Sequence, residues 1–304
     1  MITVQASDPP IGTEPISTVG DTIRHMAESP AISVIVATYK GKYLRDTLAS
    51  ISAQTYPDFE VLVLDDADEV SCRRIVEGMN DERFLYFANE TPLRPALNHL
   101  KGIRLARGRR ITVLNHDDLW APTALETLNS ALDREPTAVA AFSRSRVANE
   151  HGEFNEKRTS EAWSKWGCND YPVGLISDWT SVPNRRPAIP AVPAMLVRAS
   201  DLKSFKIPAA VGGMYDAWIG YQITRTGPVI HEDAPIGFWR EHGENLTHKR
   251  SAKRSAEPVY FDFMLARDRG LPKHHRLNAA KRLPRSIAIW IKDSMRGLRQ
   301  IAKS

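Results

Sequence analysis

The sequence predicts an α/β protein built on a mostly parallel sheet flanked by helices. Three observations predict it: short, nearly all-apolar runs such as Phe59 to Asp65 (FEVLVLD), an amphipathic segment after each run, and four repeats of that pair before residue 133. Strands buried on both faces read as continuous apolar runs, and helices crossing between parallel strands show a 3.6-residue period.

Residues 1–30 mix Pro, Ser, Thr and Gly without a period and read as a flexible leader, with a short helix around Thr22 to Glu28. Ile32 to Tyr39 (ISVIVATY) is the first strand, and Tyr43 to Gln54 carries Leu44, Leu48 and Ile51 at helical spacing. The pair repeats at Phe59–Asp65 with Val70–Met79, Phe84–Ala88 with Pro95–Ala106, and Ile111–Leu114 with Pro122–Leu132. A fifth strand falls near Val139 to Arg146. From Asn149 to Pro193 the chain is rich in Trp, Pro, Gly and Asn without a clean period, and reads as a functional loop or lid. A strand at Ala194–Val197, a helix at Tyr215–Thr226 and short strands at Val229–His231 and Ile236–Arg240 follow. The last helix, Pro284 to Ser304, places Ile287, Trp290, Ile291, Leu298 and Ile301 on one face, with Gly297 weakening it. The resulting division is a leader to residue 30, one domain over 31–250 with halves meeting near 148, and a basic helical extension over 251–304.

The chain has 304 residues, 42% hydrophobic and 25% charged, which excludes disordered and fibrous classes. No apolar run approaches the ~18 residues of a spanning helix, and the acidic start lacks a secretory pattern, so the expected location is cytoplasmic. Cys72 and Cys168 are too few for a disulfide framework or a zinc site and read as packing residues. Residues 273–304 hold nine Lys or Arg against Asp293 alone, a net of +8, while the first 272 residues net −3. Such a division is unlike a uniformly basic nucleic-acid-binding domain, and it assigns any anionic surface to the C-terminus.

Ligands of open α/β sheets bind beyond the carboxyl ends of the strands. Those ends are polar here: Thr38-Tyr39-Lys40, Asp65-Asp66 and Asn115-His116-Asp117-Asp118. Clustered carboxylates raise one another's pKa unless a cation neutralises them, which points to a divalent metal; the alternative is that they merely cap strands and helices. Neither a Walker motif nor GxGxxG follows the first strand, so a phosphate ligand would be held by metal.

Val34 to Ala67 (VIVATYKGKYLRDTLASISAQTYPDFEVLVLDDA) and Arg94 to Glu126 (RPALNHLKGIRLARGRRITVLNHDDLWAPTALE) together resemble the family 2 glycosyltransferases of the GT-A, Rossmann-like fold. The resemblance covers Ile32 to Val147 and thins afterwards. It implies a nucleotide-sugar half at about 31–148 and an acceptor half at about 149–250. It places Thr38, Tyr39, Arg94 and Asn98 beside the nucleotide and Asp66 on the ring N–H of a uridine-type base, with Asp65 as a second contact or a buried cap. Asn115-His116-Asp117 falls where the family shows Asp-x-Asp. Asn115 keeps an oxygen but brings no charge, Asp117 becomes the expected ligand for Mn²⁺ or Mg²⁺, and Asp118 is an outer partner or helix cap. His116 would touch sugar or metal, or face water in its turn. Gly212 to Trp218 fits the acceptor-base site, with Asp216 as general base, preceded by Tyr215 where the family often has Glu. Arg240-Glu241-His242-Gly243-Glu244-Asn245-Leu246-Thr247 is similar to the family's R-x-H-x-x-N-x-S/T segment, making His242 a metal ligand or phosphate contact.

Trp163, Trp166 and Trp179 could stack on acceptor sugars, with core packing as the other reading. The basic terminal helix fits a membrane-surface element contacting a lipid-linked acceptor, or else packs on protein. The implied activity is an inverting hexosyl or N-acetylhexosaminyl transfer from a nucleotide-sugar, UDP-linked, to a glycan or lipid-linked acceptor in envelope or polysaccharide assembly, without a nucleic-acid partner. Asn115 and the absent Glu keep open a scaffold that has lost turnover. A sugar-phosphate nucleotidyltransferase is the third reading, for which Tyr39-Lys40-Gly41-Lys42 is a poor phosphate loop.

Overall fold

The computed structural model describes residues 29–169, 171–179, 188–190, 193–245 and 251–301. Most of the leader with its short helix, Leu246 and Thr247, and the side chains of Trp166, Gly297 and Ile301 lie outside the described residues.

Strands β1 (Ile32–Thr38), β2 (Phe59–Asp65), β3 (Phe84–Ala88) and β4 (Arg110–Asn115) alternate with helices α1 (Leu44–Ser52), α2 (Val70–Glu77) and α3 (Arg94–Leu105). All seven residues of β1 and of β2 are buried, as apolar runs covered on both faces require. β5 (Leu119–Trp120) and α4 (Ala124–Arg134) precede β6 (Ala140–Ala148). Then come α5 (Glu156–Trp166), β7 (Gly174–Ile176), β8 (Met195–Arg198), α6 (Ala199–Ser204), a 3-10 segment at Ala209–Met214, and α7 (Tyr215–Thr226). β9 (Val229–Arg240), α8 (Ala252–Arg267) and α9 (Lys273–Ile301) complete the chain.

The sheet order is β3-β2-β1-β4-β8-β6-β9-β5, with β7 also pairing with β9. β1 pairs in parallel with β2 and β4, β2 with β3, and β6 with β9, whereas β8 runs antiparallel between β4 and β6. The mostly parallel sheet is therefore as expected, and its polar strand ends meet on one edge. One core face gathers Ile35, Leu64, Ile103, Val113 and Phe142 and the other Val34, Val36, Leu48 and Leu128.

Several parts differ from the sequence reading: β5, β7 and α6 are additional short elements, and the last helix begins at Lys273, not Pro284, which lies inside it. The segment after residue 149 contains α5, closed by Asn155, whose side chain accepts the Arg158 N–H, and by Gly167 at φ 74°. The two short strands expected after α7 are one twelve-residue strand, β9. The C-terminal helices are packed on the body: Phe261 and Leu265 of α8 and Ala279 of α9 share the core with Trp218 and Tyr221 of α7.

Candidate active site

A cavity of about 1080 Å³ opens along the carboxyl edge of β1, β2 and β4. Thr38, Tyr39, Asp66, Arg94, Asn98, Asn115, His116, Asp117, Asp216 and His242 all line it, so residues up to 204 positions apart in sequence are brought to one place.

The nucleotide-side residues differ in freedom. Tyr39 is 54% exposed, whereas Thr38 is buried against the Cys72 sulfur. The Asp66 carboxylate accepts from the backbone N–H groups of Leu93 (2.6 Å) and Arg94 (2.7 Å) and from the Asn89 amide (2.9 Å). Three acceptor positions of about four are then filled, leaving one on Oδ2. Those two backbone bonds hold Arg94 at φ 70° at the start of α3. Asp65 is a cap, accepting from Ala67 and Glu69 N–H and the Tyr86 hydroxyl. Asn98 is a structural tie, its amide donating to the Leu64 carbonyl and accepting from Asn89, which leaves one N–H and one acceptor position unspent at the cavity.

Asn115 is similarly committed: its Nδ2 donates to Asp118 (3.0 Å) and its Oδ1 accepts from the Tyr215 hydroxyl (2.5 Å). Asp117 is half-buried at the cavity wall, with Oδ2 3.0 Å from His242 Nε2. His242 Nδ1 faces the Glu244 N–H at 3.2 Å, and Nε2 also lies 3.1 Å from the Asn245 amide nitrogen. Burial acts to raise the Asp117 pKa, but the His242 hydrogen bond and the neighbouring imidazoles outweigh it and hold the carboxyl below its ordinary value. Asp118 goes the opposite way: burial and the charge of Asp117 push it well up. His116 lines the cavity with Nδ1 3.3 Å from the Ala37 carbonyl.

Arg240 fixes this corner. Its guanidinium donates to the carbonyls of Asp117 (3.0 Å) and Glu150 (2.9 Å) and to Asp46 Oδ2 (3.1 Å), lies over the Tyr43 ring, and is almost wholly buried. Its backbone N–H donates to Asp118. Tyr215, opening α7, stacks on His99 with ring centroids 3.8 Å apart. Asp216 follows in the first turn of α7, where the helix dipole favours a carboxylate, and its Oδ1 accepts the Ala217 N–H.

The tryptophan expectation is corrected. Trp163 sits on α5 with its indole N–H donating to the Ser145 carbonyl (2.6 Å) and the Arg144 guanidinium over its ring, while Trp179 is buried between Phe142 and Tyr171. Neither lines the cavity: Trp163 places its N–H on the Ser145 carbonyl, whereas Trp179 is held by its ring contacts, its Nε1 enclosed without a hydrogen-bond partner among the described residues. The α5 residues that line it are Arg158, Glu161, Ala162 and Lys165, and the indole that does so is Trp239 of β9. The two cysteines are buried thiols whose pKa burial raises, in keeping with packing roles.

Residues 33–181 match the model of glycosyl transferase family 2. That stretch, just under half of the chain, is a glycosyl transferase family 2 domain. An uncharacterized glycosyltransferase of Methanocaldococcus jannaschii is 26% identical to it over 199 residues, 63% of this chain and 64% of that protein. Glycosyltransferase GlyG of Streptococcus pneumoniae is 33% identical over 103 residues, 33% of this chain and 34% of that protein. The chain thus spans less than two thirds of the length of these curated relatives. Among solved structures, mannosyltransferase PcManGT from Pyrobaculum calidifontis in complex with GDP-Man and Mn²⁺ aligns with a TM-score of 0.60 at 19% identity, covering 86% of this chain and 74% of that one. S. aureus TarS 1-349 in complex with UDP-GlcNAc aligns at 0.57 and 16%, covering 86% and 73%. At these identities the likeness establishes the GT-A fold.

Within this family 2 fold, no group of three or more His, Cys, Asp or Glu among the described residues is placed to hold a metal ion. The donor set is the Asp117 carboxylate and the His242 imidazole, an oxygen and a nitrogen side by side at the cavity wall. Two protein ligands fit a divalent ion that takes its remaining oxygens from a diphosphate and water, the usual arrangement for phosphate-bound Mg²⁺ or Mn²⁺. Arg240, Tyr215 and His99 carry no role in the sequence reading. Only the resemblance of the segment beginning at Arg240 marks one of them.

Proposed function

We propose that the protein is an inverting glycosyltransferase that uses a UDP-linked sugar and a divalent metal. The observation that carries this reading is the convergence of Asp66, the Asp117–His242 pair and Asp216 on one cavity. Asp66 keeps one acceptor position for the ring N–H of a uracil, and Tyr39, exposed at the rim, offers it a face for stacking. Asp117 and His242 would hold the ion, whose charge would offset the diphosphate as it departs.

The chain's own residues supply the rest. The Asp216 carboxylate takes the proton of an acceptor hydroxyl as that oxygen forms its bond to the anomeric carbon. The electron pair of the breaking C–O bond leaves with UDP, and configuration inverts because attack is opposite the leaving group. Trp239 offers an indole surface for the acceptor sugar. Membrane-surface contact through α9 completes the proposal. Ile287, Trp290, Ile291, Met295 and Leu298 are exposed on it beside exposed Arg285, Lys292 and Arg296, a composition suited to an anionic lipid surface and an envelope or polysaccharide acceptor there. No helix among the described residues is long and apolar enough to cross a membrane.

Calorimetric titration with UDP and GDP, each with and without Mn²⁺, tests the donor site. Metal-dependent UDP binding that is lost in Asp117→Ala is the expected result. Absence of binding under every condition would refute it and favour a scaffold.

A further inference from the structure

A second cavity, of about 810 Å³, opens off the first. The two share Pro92, Arg94, Pro95, Gly213 and Arg254, but the second contains none of Thr38, Asp66, Asp117 or His242. A donor seated between Asp66 and Asp117 therefore leaves it open. Three cations line it, Arg94 from α3 and Lys253 and Arg254 from α8, against one carboxylate, Glu257. Glu257 is spoken for: it is buried and 3.5 Å from Arg254.

The backbone is built around that guanidinium. A Cβ on Gly213 would overlap Arg254, and a Cβ on Gly212 would overlap the Glu257 carboxyl. Gly212 also has φ 51° and ψ −122°, which only glycine adopts readily. The Gly212-Gly213 pair thus lets α8 lay its Arg254–Glu257 ion pair directly against the chain that leads into Tyr215 and Asp216. Arg254 and Asp216 both line the main cavity.

We infer that Arg254, with Arg94 and Lys253, forms an oxyanion subsite beside the acceptor base, and that the acceptor carries an acidic group, phosphate or carboxylate, which this subsite seats. The inference rests on the glycosyltransferase reading for its assignment to the acceptor. Planar guanidinium groups recognise such oxyanions bidentately, and Lys253 adds a mobile charge at the rim. Seating an acid there would orient a neighbouring hydroxyl towards Asp216.

The test uses the full chain and methyl phosphate as probe, followed by ³¹P NMR on the free and on the UDP-saturated protein, with acetate as the carboxylate counterpart. Methyl phosphate should bind both forms, without displacing UDP. Its affinity should fall at least about fivefold in Arg254→Gln and in Gly213→Ala, which crowds the guanidinium without changing charge. UDP affinity should stay within about twofold in both, which also certifies that they fold. Binding of methyl phosphate that is insensitive to both variants overturns the inference. So does no binding to the wild type, or competition with UDP, which would make Arg254 part of the diphosphate cradle instead. A wild-type protein that binds methyl phosphate through Arg254 but never UDP would retain the oxyanion subsite while removing the donor reading. Preference for acetate over methyl phosphate would assign the group as a carboxylate.

Discussion

His99 ties the floor of the active cavity to the acid limit of the fold. Its ring is buried under Tyr215, with Nδ1 donating to the Pro95 carbonyl at 2.6 Å and Nε2 enclosed without a hydrogen-bond partner among the described residues. Burial, aided by the charge of nearby His116, lowers its pKa from 6.5 to about 4. The unfolded chain takes up the proton first, so the stability supplied by the neutral ring is complete above pH 6.5 and is lost as pH falls from there to about 4. At about 1.4 kcal/mol for each pH unit of displacement, the loss is about 3 kcal/mol. His99→Phe keeps a ring against Tyr215 and removes the titration. Urea unfolding of both proteins at several pH values between about 7 and about 4 should show the wild type losing about 3 kcal/mol more than the variant. Parallel stability curves, agreeing within about 0.5 kcal/mol, would mean that the buried ring finds a partner for its second proton and the reasoning fails.

Arg240→Leu should cost about 3 kcal/mol, because it strands the carbonyls of Asp117 and Glu150; the bond to Asp46 adds little, since that side chain is 59% exposed. A urea midpoint within a few tenths of molar of the wild type would contradict this. Asp216→Asn should slow UDP release from a UDP-sugar by about 10²- to 10⁴-fold while leaving UDP affinity unchanged, and unaltered turnover would remove Asp216 from the mechanism. Replacing Trp290 and Leu298 together with Ser should reduce sedimentation with phosphatidylglycerol vesicles about tenfold or more, and full retention would dismiss α9 as the membrane contact.

The first half of the sheet was legible because β1 and β2 are buried on both faces and cannot disguise their apolar runs. α7 was legible to the residue. α5 was not, because Glu156 to Trp166 is mostly polar and buries few of its side chains, although Asn155 and Gly167 bracket it with ordinary stop and start chemistry. β5 and β7, of two and three residues, exist only through pairing with β9 and leave no period to detect. In the site, the acidic strand ends marked the edge of the sheet. That Asp117 meets His242 across 125 residues is a product of sheet order, which periodicity does not encode. For Trp163 and Trp179 the sequence left core packing and sugar stacking both open, because an indole in a core and an indole awaiting a sugar look alike until the ring's neighbours are known.

β9 acts as a ruler. Its first residues pair with β6 and β7, its last with β6 and β5; its final residue, Arg240, turns inward, and just past its end the chain brings His242 to the cavity. Side chains on a strand alternate faces, so loss of a single residue between Gly237 and Trp239 would turn Arg240 towards solvent and draw His242 back from Asp117 by about 3 Å. A substitution there changes one contact, whereas a deletion re-indexes the whole corner. The permitted length of this strand is thus a constraint on chemistry carried out beyond its end, enforced largely by residues that only pair and pack.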